Sequence, residues 1–337
     1  MKIAVVGCGA VGSYYGAKLA HAGQEVHFLL RSDYEVVRRK GVFVRSPQGD
    51  FRVRPRCARS PEEIGPSDLV LIALKTTAND QLGHLLPRLI GSHTAVVTLQ
   101  NGLGNEDQIA RFVPASQIMG GLCFVCLNRI EPGVIQHLDH GLVVLGEFQG
   151  WPEPRTHDVA TMIRHAGVPC SVTDNLARAH WEKLVWNIPF NGLGVAGSAG
   201  LEAMTTSHSL SSAASPRRMD ALRTPHSLGP CLTTDKLLGD PEWAKLVREL
   251  MLEVIAVARA LGFAVEDALA DKQIERTRTM AAYKASTLID FERGQPLELE
   301  SLFLEPLRQA ERAGVPAPRL SALCAVLKAL DARRSMA

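Results

Sequence analysis

The fold of this chain is indicated by one stretch near its start, Lys2-Ile3-Ala4-Val5-Val6-Gly7-Cys8-Gly9-Ala10-Val11-Gly12. Its apolar first half has the length of a buried strand, and a helical pattern follows over residues 13–21. Gly7, Gly9 and Gly12 thus form G-x-G-x-x-G between a strand and a helix. The first glycine permits a tight turn, the second lets a pyrophosphate approach the backbone, and the third lets the helix pack on the strand. The stretch predicts a dinucleotide site; a glycine-rich turn without a ligand is the alternative.

The second strand pattern, residues 24–31, ends in Arg31. In Rossmann-type enzymes that bind NAD, an acidic residue about 20 residues after the glycines binds the ribose hydroxyls. A guanidinium there suits the 2′-phosphate of NADP(H) instead, and a carboxylate that would repel this phosphate is absent at that position. We therefore predict NADP(H) as the cofactor, bound by the three glycines and by Arg31. An arginine that merely extends into solvent is the alternative.

Polar residues follow two further apolar strand patterns. Residues 68–74 lead to Lys75, and residues 94–99 lead through Gln100 to Asn101. In a doubly wound sheet, ligands bind outside the carboxyl ends of the strands, so we expect Lys75 and Asn101 to lie at the cofactor site. Solvation of the lysine and turn formation at Asn101 are the alternatives. The strand and helix order predicts an α/β, Rossmann-type doubly wound sheet for residues 1–172.

The periodicity changes to helical after a short strand at 171–173, which predicts an all-α domain over residues 173–337. Lys183, Asn187 and Asn191 are spaced i, i+4 and i+8, so they share one face if the helix continues through them. Such a polar row among Leu, Val, Trp, Ile and Phe is unusual, because buried polar side chains need partners. The row is therefore a candidate for function, with a structural role as the alternative.

Composition excludes several classes of protein. The 337 residues are 46% hydrophobic and 21% charged, with 37 Lys and Arg against 35 Asp and Glu, which is typical of a globular chain and gives no reason to expect nucleic acid as a partner. No apolar run approaches the ~18–20 residues of a membrane span. Seven scattered cysteines are not a disulfide framework, so we expect a cytoplasmic protein. The pairs Cys123/Cys126 and His137/His140 are assigned to a buried strand and a hairpin, and no metal site is predicted.

These features together resemble the ketopantoate reductase family, the 2-dehydropantoate 2-reductases, over most of the chain. The resemblance implies a two-domain reductase that uses NADPH to reduce the ketone of 2-dehydropantoate to (R)-pantoate, on the route to pantothenate and coenzyme A. The matching elements are Gly7-x-Gly9-x-x-Gly12, Leu74-Lys75, Gln100-Asn101-Gly102-Leu103-Gly104, residues 181–191, residues 286–290 and Leu297-Glu298-Leu299-Glu300.

Hydride delivered to a 2-keto carbon leaves an alkoxide that must be protonated. An ammonium aimed at that oxygen stabilises the developing charge and supplies the proton, so Lys183 is the predicted general acid. The resemblance implies roles for the remaining residues, with substrate, cofactor or Lys183 as their partner. They are Glu298, which holds the ammonium; Asn187 and Asn191, which bind the substrate hydroxyl; Ser286, which binds the carboxylate; and Lys75 and Asn101, which fix nicotinamide ribose and substrate.

The chain departs from the family pattern at residues 198–232, which are rich in Ser, Ala, Pro and Arg and predict an insertion. Composition does not distinguish a disordered surface loop, a partner-binding loop and a segment without function. Two other functions stay open. One is an NADPH-dependent reductase of another branched keto acid, because proton donation by Lys183 does not specify the rest of the substrate. The other is a non-catalytic NADPH-binding regulator that keeps the glycine motif without turnover. Monomer and homodimer are both compatible with the sequence.

Overall fold

The computed structural model describes residues 1–206 and 228–334. The chain divides into two compact units, Met1–Ala179 and His180–Ala337. The first contains all the strands of the described residues and the second is helical, as the sequence predicts for the fold class. The domain boundary that we expect between residues 172 and 173 stays a prediction.

The first unit contains ten strands and six helices, with 3₁₀ turns at Thr76–Gln81 and Ala115–Gln117. The strands are β1 (Lys2–Val6), β2 (Glu25–Leu29), β3 (Val42–Arg45), β4 (Phe51–Val53), β5 (Arg56–Ala58), β6 (Leu69–Ile72), β7 (Ala95–Thr98), β8 (Ile118–Glu131), β9 (Val134–Glu147) and β10 (Cys170–Val172). The helices are α1 (Ala10–His21), α2 (Tyr34–Lys40), α3 (Pro61–Ile64), α4 (Leu82–Leu85), α5 (Asn105–Ile109) and α6 (Pro154–His165).

Helix α7 (Leu176–Ala196) begins in the first unit and continues into the second. The further helices of the described second unit are α8 (Leu201–Thr206), α9 (Thr234–Gly239), α10 (Pro241–Ala260), α11 (Ala268–Arg278), α12 (Ser286–Glu292), α13 (Glu305–Arg312) and α14 (Pro318–Arg334), with a 3₁₀ turn at Gly197–Ala199 and a π-helical turn at Glu300–Leu304. Across residues 1–206 and 228–334, no helix is long and apolar enough to cross a membrane.

One sheet carries the first unit, in the order β4-β3-β9-β8-β7-β6-β1-β2-β5, with β10 paired to β9. Strand β1 lies between β2 and β6 and is parallel to both. Its residues alternate between two cores: Ile3 and Val5 belong to one, and Ala4 and Val6 to the other. Because successive strand residues point to opposite faces, both faces of the sheet are covered. The predicted Rossmann-type, doubly wound class is confirmed.

The sheet is mixed rather than parallel throughout. Strands β8 and β9 form a long antiparallel hairpin, and β3 pairs with β4 in the antiparallel sense. Only Pro132 and Gly133 connect β8 to β9, and Gly133 has φ +74°. A two-residue connection returns the chain directly beside the strand it leaves, whereas a parallel partner needs a long crossover. This short turn is the reason for the antiparallel pair.

The β8–β9 hairpin has three register shifts, between Phe124 and Val125, between Cys126 and Leu127, and between Arg129 and Glu131. Such bulges bend a strand and increase its twist. Beside the third shift, the first residues of β9, Val134–Gln136, pair in parallel with β3, and the carbonyl of Gly133 accepts a hydrogen bond from Phe43 N at 2.8 Å. Through this pairing, the end of the hairpin lies beside β3, an element from the first third of the chain.

The second unit is built around α7, which continues through Pro189 to Ala196. Its packing depends on small residues in its second half, since a Cβ atom at Gly192 would lie 2.5 Å from a methyl group of Leu323. Trp186 Nε1 donates a 2.9 Å hydrogen bond to Thr277 Oγ1 and so ties α7 to α11. The condition for the predicted polar row, an unbroken helix, is therefore met.

The ends of the predicted insertion are part of this packing. Ser198 is buried and donates a hydrogen bond to the carbonyl of Val195, and Leu232 N donates to the carbonyl of Gly194 at 2.9 Å. Residues 201–206 form α8. The rest of the segment, residues 207–227, lies outside the described residues, so the predicted insertion at 198–232 is described only at its two ends.

We expect Gly16→Ala to lower the free energy of unfolding by about 1–3 kcal/mol. A Cβ atom at this position in α1 would lie 2.5 Å from Cε1 of Phe28 and 3.0 Å from Cγ2 of Val5, both fully buried. The control is Gly239→Ala at the end of α9, where a Cβ atom meets nothing within 4 Å. Urea unfolding followed by circular dichroism measures both variants; equal midpoints for the two would contradict the close packing of α1 on the sheet.

Candidate active site

The turn between β1 and α1 packs against its own backbone and against the backbone that directly follows β6. Gly7 has φ +99°, and a Cβ atom there would overlap the backbone nitrogen of Leu74. A Cβ atom at Gly12 would overlap the carbonyl oxygen of Gly7. At Gly9, by contrast, a Cβ atom would meet nothing within 4 Å. Gly7 and Gly12 are therefore needed for the close packing of the turn, while the space next to Gly9 is open.

The N-terminus of α1 begins in this open space. No side chain caps it, and its first turn contains no acidic residue. Uncapped N–H groups and the positive end of the helix dipole favour phosphate groups. Burial raises the pKa of the Cys8 thiol well above its ordinary value, with smaller effects of Cys57 and Asp33, so this side chain is uncharged at neutral pH. The turn thus presents backbone donors and no negative charge of its own.

Arg31 lies two residues beyond the end of β2, next to the turn that leads into α2. Its side chain is exposed, and its carbonyl oxygen accepts a 3.3 Å hydrogen bond from Tyr34 N. Within residues 1–206 and 228–334, no ion pair or side-chain hydrogen bond engages its guanidinium. An exposed guanidinium at the end of the second strand is able to bind an anionic group.

Neutral amides hold the ends of β6 and β7 together. Gln100 Nε2 donates to the carbonyl of Leu74 at 3.0 Å and to Asn79 Oδ1 at 2.6 Å. Gln100 Oε1 accepts from Thr98 Oγ1 at 3.1 Å. Because the Leu74 carbonyl directly precedes Lys75, these contacts fix the backbone from which the Lys75 side chain extends.

The same network continues to Asn101. Asn79 Nδ2 donates to Asn105 Oδ1 at 3.3 Å, and Asn105 Nδ2 donates to the carbonyl of Asn101 at 3.0 Å. Asn105 is completely buried. Sequence reasoning missed Asn79 and Asn105 as positioning residues; each lies four positions after a predicted site residue, Lys75 and Asn101, and that spacing is the available signal.

In the second unit, Lys183, Asn187 and Asn191 lie on one face of α7, as their spacing predicts. Lys183 is half-buried, whereas Asn187 and Asn191 are only 7% and 3% exposed. Two polar amides at such depth need specific partners.

Asn191 and Ser286 are in direct contact. Ser286 Oγ donates to Asn191 Oδ1 at 3.2 Å, and Thr287 N donates to the same oxygen at 3.0 Å. Because Oδ1 accepts both bonds, the amide orientation is set and the Nδ2 donors point away from Ser286. The structure thus joins two residues that are 95 positions apart in the sequence.

Glu298 and Glu300 differ in their surroundings although they are near neighbours. Glu298 is 5% exposed and lies two residues before the π-helical turn, whereas Glu300, the first residue of that turn, is exposed and pairs with Arg308. Buried carboxylates are rare unless they are paired, which makes Glu298 the stronger functional candidate of the two.

The predicted residues fall into two sets. The first set lies in the first unit at the carboxyl ends of β1, β2, β6 and β7, and consists of Gly7, Gly9, Gly12, Arg31, Lys75 and Asn101. The second set lies in the second unit on or near α7, α12 and the π-helical turn, and consists of Lys183, Asn187, Asn191, Ser286 and Glu298. In the part of the chain that the structure describes, no group of three or more His, Cys, Asp or Glu side chains is arranged to hold a metal ion.

Comparison with known proteins extends over nearly the whole chain. Residues 3–150 match the model of ketopantoate reductase PanE/ApbA, and residues 219–331 match that of its C-terminal domain. The chain is 37% identical to a 2-dehydropantoate 2-reductase of Nostoc sp., with 98% of this chain and 96% of that protein covered.

Two solved structures extend this similarity to three dimensions. The 2-dehydropantoate 2-reductase of Geobacter metallireducens has a TM-score of 0.85 and 42% identity, covering 97% of this chain and 99% of its own. For the 2-dehydropantoate 2-reductase of Methylococcus capsulatus the TM-score is 0.82 and the identity 33%, with 99% and 98% covered.

We expect Asn79→Leu to lower the free energy of unfolding by about 1–3 kcal/mol, because the change leaves buried polar atoms of Gln100 and Asn105 without their partner. It should also weaken binding of a nicotinamide dinucleotide, since the amides no longer align the ends of β6 and β7. Gln149→Leu, at an exposed amide, is the control. Urea unfolding and fluorescence titration measure the two effects, and an unchanged unfolding midpoint in Asn79→Leu would count against the network.

Proposed function

The chain belongs to the ketopantoate reductase family, and from that premise we propose how its own residues carry out the NADPH-dependent reduction of 2-dehydropantoate to (R)-pantoate in pantothenate biosynthesis. The observation that carries the assignment of roles is the row of Lys183, Asn187 and Asn191 on one unbroken helix, α7. A keto acid substrate needs a proton donor and amide groups together, and this row supplies both.

The residues of the first unit fit the cofactor. The open space at Gly9 and the uncapped N-terminus of α1 suit a pyrophosphate, and the exposed guanidinium of Arg31 suits a 2′-phosphate. Lys75 and Asn101, on the backbone that the amide network fixes, are the residues we assign to the nicotinamide ribose and the substrate. When bound, NADPH supplies the hydride for the ketone carbon.

In our proposal Lys183 supplies the proton. Its ammonium donates a hydrogen bond to the ketone oxygen, stabilises the negative charge that develops there, and protonates that oxygen as the alcohol forms. Glu298, a buried carboxylate, orients the ammonium. Because it acts through Lys183, its contribution is one of positioning.

Asn187, Asn191 and Ser286 are assigned to the rest of the substrate. The Nδ2 donors of Asn191 are held in one orientation by Ser286 and the backbone of Thr287, which supports a role in binding the substrate hydroxyl. Ser286 is assigned to the substrate carboxylate; its hydroxyl would then turn from Asn191 to the ligand. Such preset donors reduce the ordering that binding costs.

We also propose a cytoplasmic location, which is supported by the finding that none of the seven cysteines, all of them in the described part of the chain, forms a disulfide bond. Sedimentation velocity of the purified protein decides between monomer and homodimer.

The experiment that tests the function is a measurement of cofactor oxidation by the purified protein. NADPH and NADH are each combined with 2-dehydropantoate and with a panel of other branched 2-keto acids. Turnover with NADPH and 2-dehydropantoate well above the panel supports the proposal. Preference for another keto acid would assign the chain to that substrate, and tight NADPH binding without any turnover would favour a regulator.

We expect Lys183→Ala to lower kcat by about 10²–10⁴-fold, the usual contribution of a general acid. The dissociation constant for NADPH should change little, because cofactor-binding residues of the first unit are untouched. Lys245→Ala, at an exposed position of α10, is the control and should keep the parent kcat. Full turnover in Lys183→Ala would refute its role as proton donor.

A further inference from the structure

A carboxylate follows Arg31, the residue assigned to the 2′-phosphate, at a distance of two residues in the sequence. Asp33 lies two residues beyond Arg31, and its side chain is only 8% exposed. Its oxygens accept hydrogen bonds from Arg129 Nε at 2.9 Å, from Arg129 Nη2 at 2.5 Å and from Ser32 Oγ at 3.0 Å. The carboxylate is therefore clamped by a two-point ion pair.

The partner arrives from a distant part of the same unit. Arg129 belongs to β8 and is 96 residues away from Asp33 in the sequence. It lies next to the third register shift of the β8–β9 hairpin, and its side chain is 36% exposed. The turn of this hairpin lies against α2, since a Cβ atom at Gly133 would meet side chains of Val36 and Val37, and Arg129 thus lies near the loop between β2 and α2.

Asp33 is also within electrostatic reach of the glycine turn. Its charge is one of the causes that raise the pKa of Cys8, the residue between Gly7 and Gly9. In Rossmann-type sites, a carboxylate after the second strand binds the ribose hydroxyls of NAD and repels the 2′-phosphate of NADP. The negative charge of an unpaired Asp33 would therefore repel the 2′-phosphate that Arg31 attracts.

We propose that Arg129 determines cofactor specificity by holding the Asp33 carboxylate in a neutral pair, so that Arg31 selects the 2′-phosphate without opposition. This inference rests on the proposed NADPH-dependent function and deepens it. Arg129 is a positioning residue, because it acts through Asp33. The positive charge of Arg129 acts at the ribose end of the cofactor. Replacing Arg129 should therefore change the affinity for the cofactor and not the rate of proton transfer.

The test uses two probes that differ by the phosphate alone, 2′,5′-ADP and 5′-AMP, with their affinities measured by isothermal titration calorimetry on the purified full chain. In Arg129→Gln, we expect the ratio of the two affinities to fall on the order of tenfold, since a carboxylate is then uncompensated beside a phosphate. In the double variant Asp33→Asn/Arg129→Gln, the ratio should return to within about threefold of the parent.

The control is Arg248→Gln, which breaks an exposed Arg–Asp pair with Asp271 and should leave the ratio unchanged. Equal losses for both probes in Arg129→Gln, or no recovery in the double variant, would overturn the inference and leave the pair a structural contact. If Arg129→Gln does not fold, Arg129→Lys replaces it: a fall of about threefold supports the inference, because one ammonium does not match both carboxylate oxygens, and an unchanged ratio overturns it.

The two proposals fail separately in this design. No keto acid enters the titrations, so a wrong substrate assignment leaves the ratios as they are. If the parent protein itself binds 2′,5′-ADP no more tightly than 5′-AMP, then the assignment of NADP(H) fails, and the role of Arg129 fails with it.

Discussion

The absence of room for a Cβ atom at Gly7 and Gly12 is the constraint on which the first unit depends. The two glycines let the turn after β1 lie directly on the backbone at the end of β6 and on itself. That contact fixes where α1 begins, and so where its uncapped N–H groups point. The ends of the strands, the start of α1 and the open position at Gly9 are therefore packed together, and the side chains that follow β2, β6 and β7 are placed relative to them.

The sequence predicts this assembly well because each of its parts is local. A short apolar strand, three glycines and a helix are contiguous, and the fold class follows from them. The polar row of α7 is likewise predictable, since i, i+4 and i+8 spacing determines a helix face whatever the helix packs on. The residues matched to the family by motif could be assigned roles for the same reason.

Contacts between distant positions could not be predicted in this way. The Ser286–Asn191 bond, the Gln100–Asn79–Asn105 amides and the Asp33–Arg129 pair all join separate elements. The bends of the β8–β9 hairpin arise from register shifts that periodicity does not reveal, because an apolar run reads the same in a regular and in a bulged strand. Asp33 itself is visible in the sequence two residues after Arg31, but its pairing with Arg129 is not, because the two residues are 96 positions apart.

The amide network at the ends of β6 and β7 has a consequence for how the enzyme responds to its surroundings. Gln100, Asn79 and Asn105 carry no charge, so the geometry they maintain does not depend on ionic strength and does not titrate over the range in which carboxylates and histidines change their protonation. The support beneath Lys75 and Asn101 is therefore the same at low and at high salt concentration. Asparagine and glutamine are, however, among the thermolabile residues. Prolonged heating would therefore damage the amide network through deamidation of its side chains, which cooling does not reverse.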